Sequence, residues 1–466
     1  MAKTMEELLE TKSKGYAHFD NRSSMRKVWE YVKNPDNIIH HAFYPFISYE
    51  KEYIKYNSYD RKIKNKYREL AYSAHVDRCI YTYYGYLLNE KYNIRVVQDG
   101  IQNVAVAYRT DLNKSNVHFA KEAIDFIRIK EACFIIVGDF KSFFDSLDHK
   151  YLKARLCDLL AVDSKLPDEY YAIFKNITKY SVCRMEDILE TLNMQDTIQN
   201  HKILNEKERI FELDEFKNFK TKHFDNKRGS DKGEQIEGNT HKAVSKNSTG
   251  RGIPQGSAIS AILANIYMLD FDKKVNEYVK KNDGLYMRYS DDFIIVFPKH
   301  SDDGFKSQYE MIKKYIEDVD NLILEPSKTQ IFEYNLTNLC NRSIDFVDCG
   351  ENGKNQLNYL GFTFDGKHVT IRDKTLTKYY YRMYRKIKCV KKWYIETNRL
   401  LARDLYRVYS VHGKNALELG GKRASKKHRG NFFSYIERAQ KLFGDNEPIS
   451  RGTKRHMARI KQKLKK

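Results

Sequence analysis

The chain has 466 residues, 41% of them hydrophobic, which is enough apolar material for two or three domains with sizeable cores and excludes a disordered polymer. Its seven Cys are scattered without a C-x-x-C pair, so neither a disulfide framework nor a zinc site is indicated, and a reducing cytosol is the expected location. The formal charge of +21 is one-sided: residues 1–373 balance at 56 Lys and Arg against 56 Asp and Glu, whereas residues 374–466 hold 27 against 6. A surplus placed that way points to a polyanion, nucleic acid above all, rather than to a membrane or an acidic small molecule.

In chain order, the N-terminus mixes both charges and has no apolar leader, and no run reaches the length of a membrane span, so a soluble cytoplasmic protein is expected. The first strong element is "ACFIIVGD". Cys133 to Val137 is a continuous apolar, β-rich run of the kind buried on both faces, and Asp139 closes it where a side chain can enter a cleft. Beyond it Leu147, Tyr151, Leu152, Leu156, Leu159 and Leu160 recur at helical spacing, which makes Asp145 and Asp148 candidate helix caps. Residues 197–249 are polar and rich in Gly, Ser, Asn and Lys, and read as an inserted loop.

At "GRGIPQG", Gly250, Gly252, Pro254 and Gly256 break the chain before an amphipathic helix through Ile259, Ile262, Leu263, Ile266 and Tyr267. Such a turn is a hinge or cap, or it lets backbone approach a flat ligand such as a base pair. Then "LYMRYSDDFIIVFP" predicts two short strands with Ser290 and Asp291 at the bend. Adjacent carboxylates held by flanking strands repel each other. Placing Asp291 and Asp292 there is best explained by a cation shared with a third acid, and Asp139 is the candidate. If the strands of Asp139 and Asp291 are neighbours, their carboxylates can share two cations, the arrangement of two-metal phosphoryl transfer.

The C-terminal 93 residues alternate Tyr379 to Tyr381, Tyr384, Trp393 and Tyr394 with Arg382, Arg385, Lys386, Lys391 and Lys392, supplying stacking surfaces and cations together. In the closing "KRHMARIKQKLKK", Met457, Ile460 and Leu464 share one helical face, leaving Lys454, Arg455 and their neighbours to face outward.

Taken in order, Asp139 with Phe144 five residues on, "RGIPQG" at 251–256 and "YSDD" at 289–292 resemble the palm motifs of a reverse transcriptase. "LILEPSKTQIF", with Lys328, and "LNYLGFTF" at 357–364 resemble the segments that follow, and "KYRELAYSAHVDRCIYTYYGYLLNEKY" and "AYR" resemble the fingers. The resemblance implies an α+β right-hand polymerase fold: N-terminal region and fingers in 1–132, palm in 133–373, and a basic helical thumb and tail in 374–466. It implies an RNA-templated DNA polymerase with two Mg²⁺, or Mn²⁺, on Asp139, Asp291 and Asp292, and Lys328 as an acid for departing pyrophosphate. Lys66, Arg68 and Arg109 are implied at the incoming deoxynucleoside triphosphate, Phe144 at its sugar, and Gln255 and Gly256 at the nascent base pair. The implied partners are an RNA template, a dedicated noncoding RNA being one candidate, and the DNA product; oligomeric state is not readable. "HHAFYPFISYEKEY" and "AYR" are more similar to bacterial abortive-infection and defence-associated members than to retroviral ones. An RNA-dependent RNA polymerase and a non-catalytic RNA-binding scaffold stay as alternatives. The bulk of Phe144 disfavours the first, and the intact acids disfavour the second.

Overall fold

In the computed structural model the described residues are 5–56, 63–109, 111–223, 243–347, 353–399, 402–413 and 430–465, with the side chains of 53–56, 63–66, 198 and 404 excepted. The strands are β1 (Phe46–Tyr56), β2 (Ile63–Tyr72), β3 (Ala132–Asp139), β4 (Ser181–Arg184), β5 (Val244–Lys246), β6 (Leu285–Tyr289), β7 (Asp292–Pro298), β8 (Gln330–Asn335), β9 (Asn338–Asn341), β10 (Leu357–Tyr359), β11 (Phe362–Phe364) and β12 (Val369–Ile371). They form three sheets, ordered β2-β1-β4-β5, β6-β7-β3-β8-β9 and β10-β11-β12, among numerous helices. The class is α+β, with Asp139 and Asp292 on a central antiparallel sheet.

β3 is apolar throughout because both faces of the central sheet are covered. Phe134 and Ile136 enter one core with Phe293, Ile295 and Phe297 of β7, against the helices Ser260–Tyr267, Leu269–Lys281 and Asp302–Glu317. Cys133 and Ile135 enter the opposite core with Ile294 and Val296, against the helix Asn116–Lys130. Each fully buried side chain of this size contributes about 1.5–3 kcal/mol, so the strand that ends in Asp139 is anchored from two sides.

The second core also takes in the C-terminal region. Tyr379, Tyr380, Met383, Ile387 and Val390 of the helix Asp373–Thr397, Phe433 and Ile436 of Phe432–Phe443, and Ile460 of His456–Lys465 pack with Ile124, Ile127 and Phe362. The C-terminal helices thus share their core with the sheet. Buried Glu447 stitches the two, one carboxylate oxygen taking Arg128 at 2.6 Å and the other accepting the Val369 N–H at 2.5 Å. Met457 and Leu464 lie half-buried beside Ile460, the face expected from their spacing.

Within 197–249, residues 198–223 differ from the expected loop. Ile198–Leu204 and Leu213–His223 are helices, and Leu204, Ile210, Phe211 and Phe219 are buried with Phe19, Ile47 and Ile188. Phe211 stacks on Phe219 with ring centroids 4.8 Å apart. The cause is a sparse apolar pattern at helical spacing, diluted by charge but sufficient once the N-terminal sheet offers a surface. β4 and β5 also join that sheet, β4 parallel to β1, so the N-terminal unit draws on residues well beyond 132. Residues 224–242 lie outside the described residues. No helix among the described residues is long and apolar enough to cross a membrane.

Candidate active site

β6 and β7 pair with Tyr289 opposite Asp292, leaving Ser290 and Asp291 as the hairpin turn, as the turn chemistry predicts. Ser290 sits at φ 64°, a left-handed conformation that a non-glycine residue holds only when its surroundings enforce it. β3 pairs with β7 in a register that puts Asp139 directly across from Asp292. The Phe140 N–H donates to the Asp291 carbonyl at 3.3 Å, tying the end of β3 to the hairpin tip. The three carboxylates expected to act together are therefore neighbours.

Like charges opposite one another destabilise a sheet, and the acids register it. Burial above all, then Asp291 and Asp139, push the Asp292 carboxyl up to about 7. Burial chiefly, with Asp139 adding to it, also raises Asp291 against a lowering hydrogen bond from its own backbone. Lys328, in the turn Pro326–Lys328 just before β8, donates from Nζ to Asp139 Oδ1 at 2.5 Å. Its side chain is half exposed.

A clustered excess of carboxylate charge next to one Lys is a donor set suited to a hard divalent cation. Among the described residues no group of three His, Cys, Asp or Glu side chains is arranged to hold a metal ion by itself.

The 250–256 loop leans on the turn after β3. Gly252 N–H donates to Leu147 O and Ile253 N–H to Phe144 O, both at 2.9 Å, and the His149 ring bonds Gly252 O at 2.8 Å. At Gly256, φ is +117° and a Cβ would stand 2.5 Å from Ala71 O of β2, so only glycine fits. Next to it the Ala71 N–H donates to Gln255 O at 3.0 Å. The 250–256 loop thus lies between β2 of the N-terminal sheet, met by Gln255 and Gly256, and the segment after β3, met by Gly252 and Ile253. Phe143 is core and Phe144 is half-buried, packed edge-on against Phe143. Asp148 is the helix cap expected, its side chain accepting from the Tyr151 N–H at 2.9 Å.

The expected triphosphate cations divide. Lys66 lies on β2 opposite Tyr53, and its side chain is outside the described residues. Arg68 is exposed on the same strand, close enough to the turn after β3 to lower the Asp145 carboxyl, which burial and Glu69 raise. Arg109 departs from expectation. Its side chain is buried, with Nε and Nη2 on the two Asp111 oxygens at 2.8 and 2.6 Å and the guanidinium 5.7 Å from the Tyr92 ring centroid. An acid two residues on has captured it, and only its Nη1 is left without a hydrogen-bond partner.

Sequence reasoning missed the support under the hairpin. Arg288, fully buried in β6, donates from Nε and Nη2 to Asp272 at 2.9 and 2.6 Å and from Nη1 to the Ser290 carbonyl at 2.8 Å. Asp272 also accepts from the Tyr286 hydroxyl at 2.8 Å. A lone Arg in an apolar strand, matched by an Asp on the preceding helix, was the signal available.

In the C-terminal region Arg382, Arg385, Lys392, Lys454 and Arg455 are exposed and Lys391 is half-buried. The aromatic alternation splits. Tyr379 and Tyr380 belong to the core, while Tyr381, Trp393 and Tyr394 stay open, with Arg385 lying 5.9 Å from the Tyr381 ring centroid. Helical periodicity turns every third or fourth ring inward.

Residues 195–364 match the family model described as reverse transcriptase (RNA-dependent DNA polymerase). Among solved structures the chain is similar to the apo telomerase of Candida tropicalis truncated from its C-terminal domain, at 12% identity and TM-score 0.40, covering 70% of this chain and 55% of that one. It is also similar to the telomerase of Candida albicans in complex with a TWJ fragment of telomeric RNA, at 15% identity and TM-score 0.38, covering 93% and 58%. The chain thus spans little more than half of each telomerase chain. No curated protein matches it in sequence. The matched segment, 170 of the 466 residues, contains the 251–256 loop and the 289–292 hairpin and is similar to reverse transcriptases.

Proposed function

We propose that this chain copies an RNA template into DNA, adding deoxynucleotides at the site of Asp139, Asp291 and Asp292, and that it serves in bacterial antiphage defence. The observation that carries the catalytic reading is the register pairing Asp139 with Asp292, beside Asp291 and with Lys328 on Asp139. The defence role rests on the resemblance of the segments at 40–53 and 107–109 alone.

Asp139 and Asp291, with Asp292, would hold two Mg²⁺, or Mn²⁺, which when bound supply charge stabilisation at the reacting phosphate and lower the pKa of the primer 3′-hydroxyl. The chain's own residues do the rest. Lys328, already bonded to Asp139, turns its ammonium to the departing pyrophosphate and gives it a proton. Lys66 and Arg68 of β2 neutralise the triphosphate, and Gln255 and Gly256, backed on Ala71, border the nascent base pair. Phe144 stands under the sugar and excludes a 2′-hydroxyl. Arg109, bound to Asp111, shapes the loop beside the hairpin instead of meeting the triphosphate. Arg382, Arg385, Lys391, Lys392, Lys454 and Arg455 hold template and product by their phosphates.

The test is extension of a DNA primer on an RNA template with dNTPs and Mg²⁺, run with Asp139→Ala in parallel. Incorporation by the wild type and none by the variant is expected. Incorporation of ribonucleotides only, or equal synthesis by both proteins, would overturn the reading.

A further inference from the structure

We infer that Tyr108, acting with the buried Arg288–Asp272 pair, is a positioning residue for the hairpin that carries Asp291 and Asp292, an inference that rests on the polymerase reading above. Ser290, the residue before the two acids, is held from two directions. Its carbonyl takes Arg288 Nη1 at 2.8 Å, and its hydroxyl shares a hydrogen bond with the Tyr108 hydroxyl at 3.1 Å. Both Ser290 and Tyr108 lie at φ 64°, so each side chain of the bond is delivered by a left-handed residue.

The two holds come from separate parts of the chain. Arg288 is fixed by Asp272 on the helix Leu269–Lys281, and also reaches Asn265 Oδ1 at 3.4 Å. Tyr108 ends a loop laid along β6, where the Arg288 N–H donates to Val104 O at 2.8 Å and the Val106 N–H to Arg288 O at 2.9 Å. Asn265 closes the circuit by donating to the Ala107 carbonyl at 3.2 Å. Helix, loop and hairpin are therefore one hydrogen-bonded unit around Ser290.

The need for it follows from the charge. Asp291 and Asp292 repel each other and Asp139, and an unsupported two-residue turn would relieve the repulsion by swinging them apart. Fixing Ser290 at both its carbonyl and its hydroxyl removes that freedom before any cation arrives. The Tyr108 ring is 51% exposed, so its hydroxyl contact, not core packing, is what it gives the fold. That makes the residue testable without unfolding the protein.

The experiment compares wild type, Tyr108→Phe, Ser290→Ala, the double variant, and Arg288→Lys, which keeps the charge on Asp272 while losing the forked donor. Backbone hydrogen exchange is followed over residues 285–298, with melting temperature, and steady-state kinetics use poly(rA)·oligo(dT), dTTP and Mg²⁺. Faster exchange at the hairpin is expected in every variant. For Tyr108→Phe and Ser290→Ala, kcat should fall about tenfold with KM for dTTP and melting temperature unchanged, and the double variant should match the singles, as for two ends of one bond. Unchanged exchange, a loss that falls on KM, or additive losses in the double variant would overturn the inference. If the wild type incorporates no dTTP, the polymerase reading fails by itself, and hydrogen exchange still decides whether Tyr108 holds the hairpin.

Discussion

The carboxylate hairpin and the basic C-terminal helices both carry concentrated charge, but they hold it in opposite ways. At the hairpin three acids stand within one strand register, two of them raised by burial, and a fully buried Arg288–Asp272 pair fixes the turn. On the C-terminal helices Arg382, Arg385, Lys392, Lys454 and Arg455 point into solvent over a core shared with the sheet. The charge proposed for chemistry is few in number and held by neighbouring groups. The charge proposed to grip a phosphate backbone is plentiful and solvated. Substitutions at the two regions should therefore differ in size and in kind.

The largest contrast is in rate. Asp139→Ala should lower nucleotide addition by roughly a thousandfold or more with little change in melting temperature, while Arg385→Gln costs only a few-fold, because one removes charge stabilisation at the reacting phosphate and the other removes one of many cations on the backbone. Single-turnover primer extension measures both, and comparable losses would erase the distinction.

Stability should divide the regions next. Arg288→Met leaves Asp272 buried without its cation and should cost about 3–5 kcal/mol in denaturant unfolding, whereas Arg385→Met on the exposed helix should leave the midpoint where it is. Sugar selection follows: Phe144→Ala should raise ribonucleotide incorporation about tenfold relative to deoxynucleotide use, read from competing kcat/KM values. An unchanged ratio in a folded variant would make Phe144 a core residue like Phe143.

The acids themselves predict a pH effect that the cationic helices do not. With Asp292 raised to about 7, the folded protein binds more protons than the unfolded chain between the ordinary Asp range and that value. Without divalent cations this group therefore makes stability fall as pH rises across that window, and level off above it. Mg²⁺ should raise the melting temperature by a few degrees at pH 8 and by less at pH 5.5, and Asp291→Asn with Asp292→Asn should remove the difference. The smallest effect is electrostatic. Changing Lys454, Arg455, Lys461 and Lys465 to Gln should flatten the log affinity against log salt plot by about 0.7–0.9 for each phosphate that is no longer neutralised, with kcat unchanged. An unaltered slope would show these cations to be solvated and idle.

The site was legible in part because its chemistry is local. A strand buried on both faces has to be a continuous apolar run, so Cys133 to Val137 announced β3 and placed Asp139 at its end; alternation around a Ser-Asp bend announced the hairpin. The final helix docked on the face that its Met457, Ile460 and Leu464 spacing predicts. The reading of a loop failed over residues 198–223 because charge masked a few apolar residues whose partner surface includes Phe19, far away in the chain, beside Ile188. Arg109 was expected at the incoming triphosphate by resemblance, and nothing in a sequence says that Asp111 will close on it beside Tyr92.

What the amino-acid order by itself determined were the features governed by period and turn preference: the strand run, the hairpin bend, the Gly breaks, the amphipathic faces and the lopsided charge. Each depends on residues within a few positions of one another, where sterics and hydrophobic spacing act directly. Tertiary structure decided which charges meet: Asp139 with Asp292 across 153 positions of chain, Arg288 with Asp272, and Tyr108 with Ser290. Those pairings depend on strand register and on burial, which sets the dielectric, and neither exists until the whole chain has packed.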